Sequence, residues 1–261
     1  MIRLIVCDLD MTLLPKPLSE VPDGLFGLIR KMKERGIDFA VATGRQAGNV
    51  RNLFRKAGGG LYIIADNGGV TYDWDKLIRT AKMDAGREEE LIDDILNTPG
   101  VYLEMTGVTT GYMIKESGPL WDFLKGINED KLIDDPHVRP EPVTKISFNE
   151  LGHPSVNEAT VRFFQEKYGD VYSVVRSGNG WVDIYSKNCG KGPALKELVL
   201  RLGLKKEEVV VFGDNENDVS MFGEAGLSYA REFSEPEVIE KADRVTTDPV
   251  AEIGRLLEET K

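Results

Sequence analysis

Ile2-Arg3-Leu4-Ile5-Val6-Cys7-Asp8-Leu9-Asp10-Met11-Thr12-Leu13-Leu14 is the stretch whose reading decides the fold. Residues 2–7 form a mostly apolar run, long enough for one buried strand and too short for a helix of its own. The run closes in two carboxylates, Asp8 and Asp10, with Thr12 beyond them. A buried parallel strand delivers its C-terminal end to the crevice where open α/β sheets bind ligands. Two acids left there repel one another unless a cation or a proton offsets the charge. Two readings stand side by side at this point. One is a polar turn after a first strand, since Asp is common in turns. The other is a hard metal ion, with one carboxylate ligating it and attacking a substrate.

Outward from that run the chain alternates strand and helix. Pro15 and Pro17 mark an extended loop, and Pro22 suits the first turn of a helix. Val21, Leu25, Leu28, Ile29 and Met32 fall at helical spacing, with Gly36 as the stop. Residues 37–42 predict a second strand, ending in Thr43-Gly44-Arg45, and Val50, Leu53 and Phe54 predict a second helix. Residues 61–65 predict a third strand, closing in Asp66-Asn67-Gly68-Gly69, and 70–74 with 77–80 predict a hairpin. Strand, helix, strand, helix, strand implies a parallel sheet with helices on both faces.

Near residue 83 the rhythm changes. Glu88-Glu89-Glu90 with Leu91, Ile92, Ile95 and Leu96 predicts a surface helix with a solvated acidic face. Strands are predicted at 101–105, 112–115, 145–148, 171–175 and 181–185. Helices are predicted around Leu120 to Leu124 and at 156–168, and a loop at 134–142. This section, 83–186, has antiparallel character and the length of a small α+β domain. The first rhythm then returns. Lys191-Gly192-Pro193 opens a helix. Residues 208–212 form a β-branched strand ending in Gly213-Asp214-Asn215-Glu216-Asn217-Asp218. A short helix, a strand at 226–230, a helix at 236–241, a strand at 244–246 and a terminal helix follow. The simplest architecture is an α/β core built from both ends of the chain, residues 1–82 and 187–261, with 83–186 inserted between its halves.

Composition narrows the function. A chain of 261 residues, 41% hydrophobic and 30% charged, can bury a sizeable core. No apolar stretch approaches a membrane span, and Asp8 interrupts the N-terminal run too early for a signal peptide. Two cysteines, Cys7 and Cys189, and two histidines, His137 and His153, offer no zinc pattern and no histidine-based triad. A reduced cytoplasmic compartment is the expectation. The net charge of −11 argues against nucleic acid or an anionic membrane as partner. An anionic substrate would need local positive charge or a metal to overcome that field.

Three apolar strands thus end in distinctive polar groups: Asp8 with Asp10, Thr43, and Asp214 with Asp218. Parallel strands place such ends on one edge, so the groups converge although far apart in sequence. With Lys191 at a helix start, the set supplies what phosphoryl transfer through a carboxylate needs: nucleophile, general acid, phosphate ligands and Mg2+ ligands. The sequence resembles the haloacid dehalogenase superfamily of phosphatases. The four family motifs match Asp8-Leu9-Asp10-Met11-Thr12, Thr43-Gly44-Arg45, Lys191, and Gly213-Asp214-Asn215-Glu216-Asn217-Asp218. The insert lies between the second and third motifs, as in the Cof-like and sucrose-phosphatase-like branch with large C2-type caps, C2B in kind. The resemblance covers nearly the whole chain and rests on the combination, since any single motif is weak.

That resemblance implies a Rossmann-like core, an α+β cap that chooses the substrate, and Mg2+ as cofactor. It implies that Asp8 is the nucleophile, forming an aspartyl-phosphate. Asp10 would protonate the leaving alcohol and then activate water. Thr43 would donate a hydrogen bond to the transferring phosphoryl group, and Lys191 would neutralise phosphate and carboxylate charge. Mg2+ would be held by Asp8, the backbone carbonyl of Asp10 and Asp214, with Asp218 ligating or orienting a bound water and Asn217 assisting. Met11 stands where many members carry Gly. A turn there that accepts an ordinary residue is the expectation.

Further candidates each have a plainer reading. Arg45, beside Gly44, and Asn67 sit at strand ends that face substrate in this branch. They also fit a surface Arg at a helix start and a hairpin turn. In 176–181, Arg-Ser-Gly-Asn-Gly-Trp, a hairpin tip with an inward Trp is the plain account, and a specificity loop the functional one, with Asp183 on the next strand. Cys7 reads as a small core residue. Both histidines read as loop residues with no visible partner. The function implied is a Mg2+-dependent phosphatase of a small phosphorylated metabolite, a sugar phosphate or similar monoester. The rivals are a phosphomannomutase-like phosphotransferase and a non-catalytic binding protein on the same core.

Overall fold

The apolar run at the N-terminus is a strand, β1 (Leu4–Asp8), and every residue of it is buried. The structure, a computed structural model, describes residues 1–14, 20–83, 86–125, 130–153, 156–178 and 180–259. The expected loop at Pro15 and Pro17, and Asn179 in the hairpin tip, lie outside the described residues.

After β1 come α1 (Asp23–Glu34), β2 (Asp38–Ala42), α2 (Ala47–Leu53), β3 (Tyr62–Ala65), β4 (Val70–Asp73) and β5 (Lys76–Thr80). The middle of the chain holds α3 (Glu88–Leu96), β6 (Tyr102–Gly107), β7 (Gly111–Met113), α4 (Gly118–Leu124), β8 (Lys131–Leu132), β9 (Val143–Asn149), α5 (Glu158–Tyr168), β10 (Tyr172–Gly178) and β11 (Trp181–Ser186). The last part holds α6 (Lys191–Arg201), β12 (Val209–Gly213), α7 (Glu216–Phe222), β13 (Leu227–Arg231), α8 (Pro236–Ile239), β14 (Arg244–Thr246) and α9 (Pro249–Glu259). By contact the chain divides into two compact units, Met1–Arg79 with Gly190–Lys261, and Thr80–Cys189.

The first unit is α/β, with a Rossmann-like sheet in the order β14-β13-β12-β1-β2-β3-β4-β5. From β14 to β3 every neighbouring pair is parallel, and β4 returns antiparallel to β3. Successive side chains of a strand point to opposite faces. On one face Leu4 and Val6 pack with Leu195, Leu198 and Met221 from α6 and α7. On the other, Phe39 of β2 meets Phe54 at 6.4 Å between ring centroids, and Phe54 meets Phe26 of α1 at 6.2 Å. A sheet covered on both faces needs apolar groups on both sides of each strand, which is why Leu4 to Cys7 read as an unbroken apolar run. α1 forms because Leu25, Phe26, Ile29 and Met32 share one buried stripe, with Asp23 in the first turn and Lys31 and Lys33 in the last. Gly36 ends it at φ 68°.

Register decides what meets at the carboxyl edge. Cys7 pairs with Phe212 and Asp8 with Ala42. Asp8 therefore lies beside the points where the chain leaves β2 for Thr43 and β12 for Asp214. The turn between β3 and β4 supplies a second constraint. Asp66, Asn67 and Gly68 have φ of 51°, 52° and 90°. A Cβ at Gly68 would fall 2.1 Å from the carbonyl oxygen of Gly190, so only glycine lets this turn sit against the residue before α6.

The second unit has its own sheet, ordered β10-β11-β9-β6-β7-β8. It is antiparallel except for β7 with β8. Leu91, Ile92 and Ile95 of α3 and Phe164 and Tyr168 of α5 share a core with Met105, Ile146, Phe148, Val182 and Ile184. Two details depart from the sequence reading. The strand expected to reach Lys115 stops at Met113, because Lys115 opens a 3-10 turn at Lys115–Ser117. β8 has no sequence signal: both its residues are exposed, and two residues carry no periodicity.

Candidate active site

Four charged side chains meet at the end of β1. Asp8, at the strand's last position, is 5% exposed. Lys191, the first residue of α6, donates from Nζ to Asp8 Oδ1 at 2.7 Å and to Asp218 Oδ1 at 2.6 Å. Lys191 and Asp218 are 2% and 0% exposed, so the three groups form a sealed ion cluster. Asp214, one residue past β12 and half-buried, completes it. Among the described residues, one carboxylate oxygen from each of Asp8, Asp214 and Asp218 lies within 4.8 Å of the others.

Local structure explains how each acid is held. Asp218 Oδ2 accepts from the backbone N–H groups of Asp214 and Asn215, at 2.9 and 3.1 Å. It is the third residue of a capping box at the start of α7, with Asn215 as N-cap. One carboxylate thus ties down the loop bearing Asp214 and takes a bond from Lys191. Gly213 permits this, since a Cβ there would lie 2.5 Å from that of Asp218. Thr12 donates from its hydroxyl to Asp214 Oδ1 at 2.6 Å. The sequence drew attention to Thr12 without giving it a task; orienting Asp214 is that task.

The electrostatics follow from burial and count. Burial pushes the Asp8 carboxyl well up; Lys191 pulls it down and Asp218 pushes it further up. Burial also raises Asp214, against the hydrogen bond from Thr12. For Lys191, burial would lower the pKa, but the charges of Asp218 and Asp8 outweigh it and hold the ammonium firmly protonated. Three ionised carboxylates against one ammonium would leave two negative charges, a state that burial opposes at Asp8 and Asp214 until a cation offsets it. An all-oxygen donor set with that deficit fits a hard divalent cation such as Mg2+.

Asp10 stands apart from this cluster. Its carboxylate is clasped by Arg45, with Nε on Oδ2 at 2.8 Å and Nη2 on Oδ1 at 2.5 Å. The third arm of the guanidinium, Nη1, donates to Asn49 Oδ1 at 3.1 Å. Asn49 was not singled out in the sequence. Its spacing of four from Arg45, at the start of a helix, is the signal that could have found it. Thr43, 1% exposed, accepts the backbone N–H of Arg45 on Oγ1 at 3.1 Å, which leaves its own O–H to donate elsewhere. Asn217 donates from Nδ2 to Asn67 Oδ1 at 3.0 Å. A Cβ at Gly44 would lie 3.3 Å from that same Asn67 amide, so Gly44, Asn67 and Asn217 are neighbours.

Two expectations are corrected, for Met11 and for His137. Met11 adopts φ 64°, so the turn after Asp10 does not accept an ordinary residue without strain. The left-handed residue lets the chain fold back, with Leu14 N bonded to Leu9 O at 2.8 Å and Asp10 bridged to Leu14. His137 is not without partners: its ring contacts Glu89, and Nε2 lies 3.2 Å from Asp93. The hydrogen bond to Glu89 is the main cause of its raised pKa. In the hairpin at 176–181, Arg176 is engaged by Glu158 at 2.8 Å. Trp181 there packs against the cluster of Met113, Leu120 and Leu124, which is the plain account of that tip. Asp183 is buried and bonded to Ser147, Ser177 and Lys145 of the same sheet, at 2.7, 2.6 and 3.3 Å. Cys7 and Cys189 are free and buried, and no helix among the described residues is long and apolar enough to cross a membrane.

The comparisons with known proteins put the chain in the class of phosphate-ester hydrolases. A family model for haloacid dehalogenase-like hydrolases matches residues 5–252, and the chain belongs to that family. It is similar to the 5-amino-6-(5-phospho-D-ribitylamino)uracil phosphatase YbjI of Escherichia coli: 27% identical, over 92% of this chain and 89% of that protein. The solved structure of TM0651 from Thermotoga maritima superposes with a TM-score of 0.83 at 29% identity, covering 99% of this chain and 97% of that one. The subclass IIB sugar phosphatase BT4131 shares the fold, with a TM-score of 0.78 at 18% identity and coverage of 99% and 98%.

Proposed function

We propose that this chain is a Mg2+-dependent phosphatase of a small phosphorylated metabolite, a sugar phosphate or a similar monoester, working through an aspartyl-phosphate on Asp8. The observation that carries the reading is the sealed contact of Asp8 with Lys191 beside Asp214 and Asp218. Asp8, Asp214 and the backbone carbonyl of Asp10 would hold Mg2+. When bound, Mg2+ supplies positive charge that lets an anionic phosphate approach a carboxylate. Lys191 favours the ionised form of Asp8 against its burial and fixes the rotamer from which it attacks. The bond from an Asp8 oxygen to phosphorus forms as the ester oxygen–phosphorus bond breaks, and a proton on Asp10 passes to the departing oxygen. Asp10, now a carboxylate, takes a proton from the water that cleaves the acyl phosphate, and Asp8 is restored. Thr43 donates its hydroxyl hydrogen to the phosphoryl oxygens, and Asn217 adds an amide. Asp218 serves by anchoring Lys191 and the Asp214 loop, both of its oxygens being engaged there.

The inserted unit, 83–186, is proposed as the cap that chooses the substrate, and the cytoplasm as the compartment. A metabolite substrate is supported by the relative from Escherichia coli, named for a phosphorylated ribitylaminouracil. The test is a panel of phosphorylated metabolites with Mg2+, including hexose monophosphates, read as kcat/KM for phosphate release. Small-molecule monoesters should turn over and release inorganic phosphate. Isomerised sugar phosphate without free phosphate would replace the reading by a mutase, and no turnover at all by a binding protein.

A further inference from the structure

The Arg45–Asp10 pair is a fork on a fork. Both carboxylate oxygens of Asp10 accept from one guanidinium, at 2.8 and 2.5 Å, and that guanidinium is braced by Asn49 at 3.1 Å. The backbone of Arg45 is braced as well. Its N–H bonds to Thr43 Oγ1 at 3.1 Å, and its carbonyl accepts from Asp66 N at 3.0 Å. Five donors and acceptors of a single residue are thus committed to geometry within this edge of the sheet. Asp10, by contrast, has little else to hold it. It follows the strand rather than belonging to it, it precedes a residue in a strained conformation, and its side chain is 36% exposed. A short acid on such a turn would sample several rotamers in water, and proton transfer to a leaving oxygen demands one.

We infer that Arg45 is a positioning residue for Asp10 rather than a ligand of the phosphate. This rests on Asp10 being the general acid and base, as proposed above. A bidentate guanidinium fixes a carboxylate in plane and direction, which a point charge cannot do. Asn49 sets the guanidinium in turn. Arg45 therefore acts on the step in which the ester oxygen departs with the proton of Asp10. It does not act on the charge of the phosphoryl group, which is the same for every monoester.

The experiment is a comparison of kcat/KM for Arg45→Met, Arg45→Lys, Asp10→Asn and the Arg45→Met/Asp10→Asn double variant, with Mg2+. The substrates are phosphomonoesters of graded leaving-group basicity, from nitrophenyl to alkyl. This constant covers only steps up to loss of the leaving group. Asp10→Asn should lose most on alkyl phosphates and least on nitrophenyl phosphate. Arg45→Met should show the same slope at smaller size, about 10-fold on alkyl esters, and Arg45→Lys should not restore it. In the Asp10→Asn background the effect of Arg45→Met should vanish. An equal loss on all leaving groups, additive with Asp10→Asn, would overturn the inference and make Arg45 a phosphate ligand. If Asp10→Asn itself shows no leaving-group slope, the general-acid reading fails and the inference falls with it. A purely structural role for Arg45 would lower stability without any slope, so melting curves are recorded alongside. If Arg45→Met does not fold, Asn49→Ala is used instead, with a weaker slope expected and a flat profile contradicting the idea.

Discussion

Lys191 and Arg45 both bind carboxylates at the carboxyl edge of one sheet, yet one is sealed and the other is open to water. The side chain of Lys191 is 1% exposed, and its partners Asp8 and Asp218 are 7% and 0%. The Arg45 and Asp10 side chains are 17% and 36% exposed. Buried charges cost several kcal/mol each to desolvate, so they persist only where each is paired and hydrogen-bonded. Lys191 is such a case and behaves as a fixed charge. The Arg45–Asp10 pair keeps water at hand, so breaking and remaking it is cheap. A nucleophile needs the first environment, held in one state throughout. A group that gives and takes a proton each turnover needs the second.

The contrast is broken most directly by removing each cation. Lys191→Met leaves Asp8 and Asp218 buried without their partner, and urea unfolding in chelator should register a loss of about 3–5 kcal/mol. Arg45→Met should lose no more than about 1 kcal/mol. Comparable losses would show that burial does not separate the two sites. The next effect concerns charge balance. Three carboxylates grouped at Asp8, Asp214 and Asp218 against the single ammonium of Lys191 should draw Mg2+ into the folded state only. Saturating Mg2+, near 100 times its dissociation constant, should then raise stability by about 2.7 kcal/mol. Asp214→Asn should remove most of that gain, whereas Asn49→Ala, on the open side, should leave it intact. The smallest effect tests the turn that carries Asp10. Met11→Gly relieves a left-handed conformation and should stabilise the chain by about 0.5–1 kcal/mol in the same assay. No gain would mean that the Met11 side chain offsets the strain by its contacts.

The sealed half was far easier to read from sequence than the open half. Asp8, Thr43 and Asp214 were legible because apolar runs report buried parallel strands, and parallel strands send their ends to one edge. Lys191 was legible because Gly-Pro after it marks a helix start. None of this told which groups touch. Arg45 and Asp10 lie 35 residues apart on two loops, and loop-to-loop contacts leave no periodic trace. The strain at Met11 was invisible for a different reason: only glycine advertises a positive φ, and here the chain pays for one without it. The His137 pairs with Glu89 and Asp93 were missed because the partners sit on a helix about 45 residues upstream, in a run read as a solvated face.

The most direct test of the central claim is to catch the phosphoryl group on Asp8. The Asp10→Asn variant is mixed with nitrophenyl phosphate and Mg2+, quenched in acid and analysed by peptide mass spectrometry. Nitrophenolate leaves without an acid, while breakdown of the acyl phosphate is slowed for want of a base. The account predicts one phosphoryl group on the peptide bearing Asp8, lost on treatment with hydroxylamine and absent when Asp8→Asn is added to the variant. Nitrophenol release with Asp8 unmodified, or turnover that survives Asp8→Asn, would contradict it.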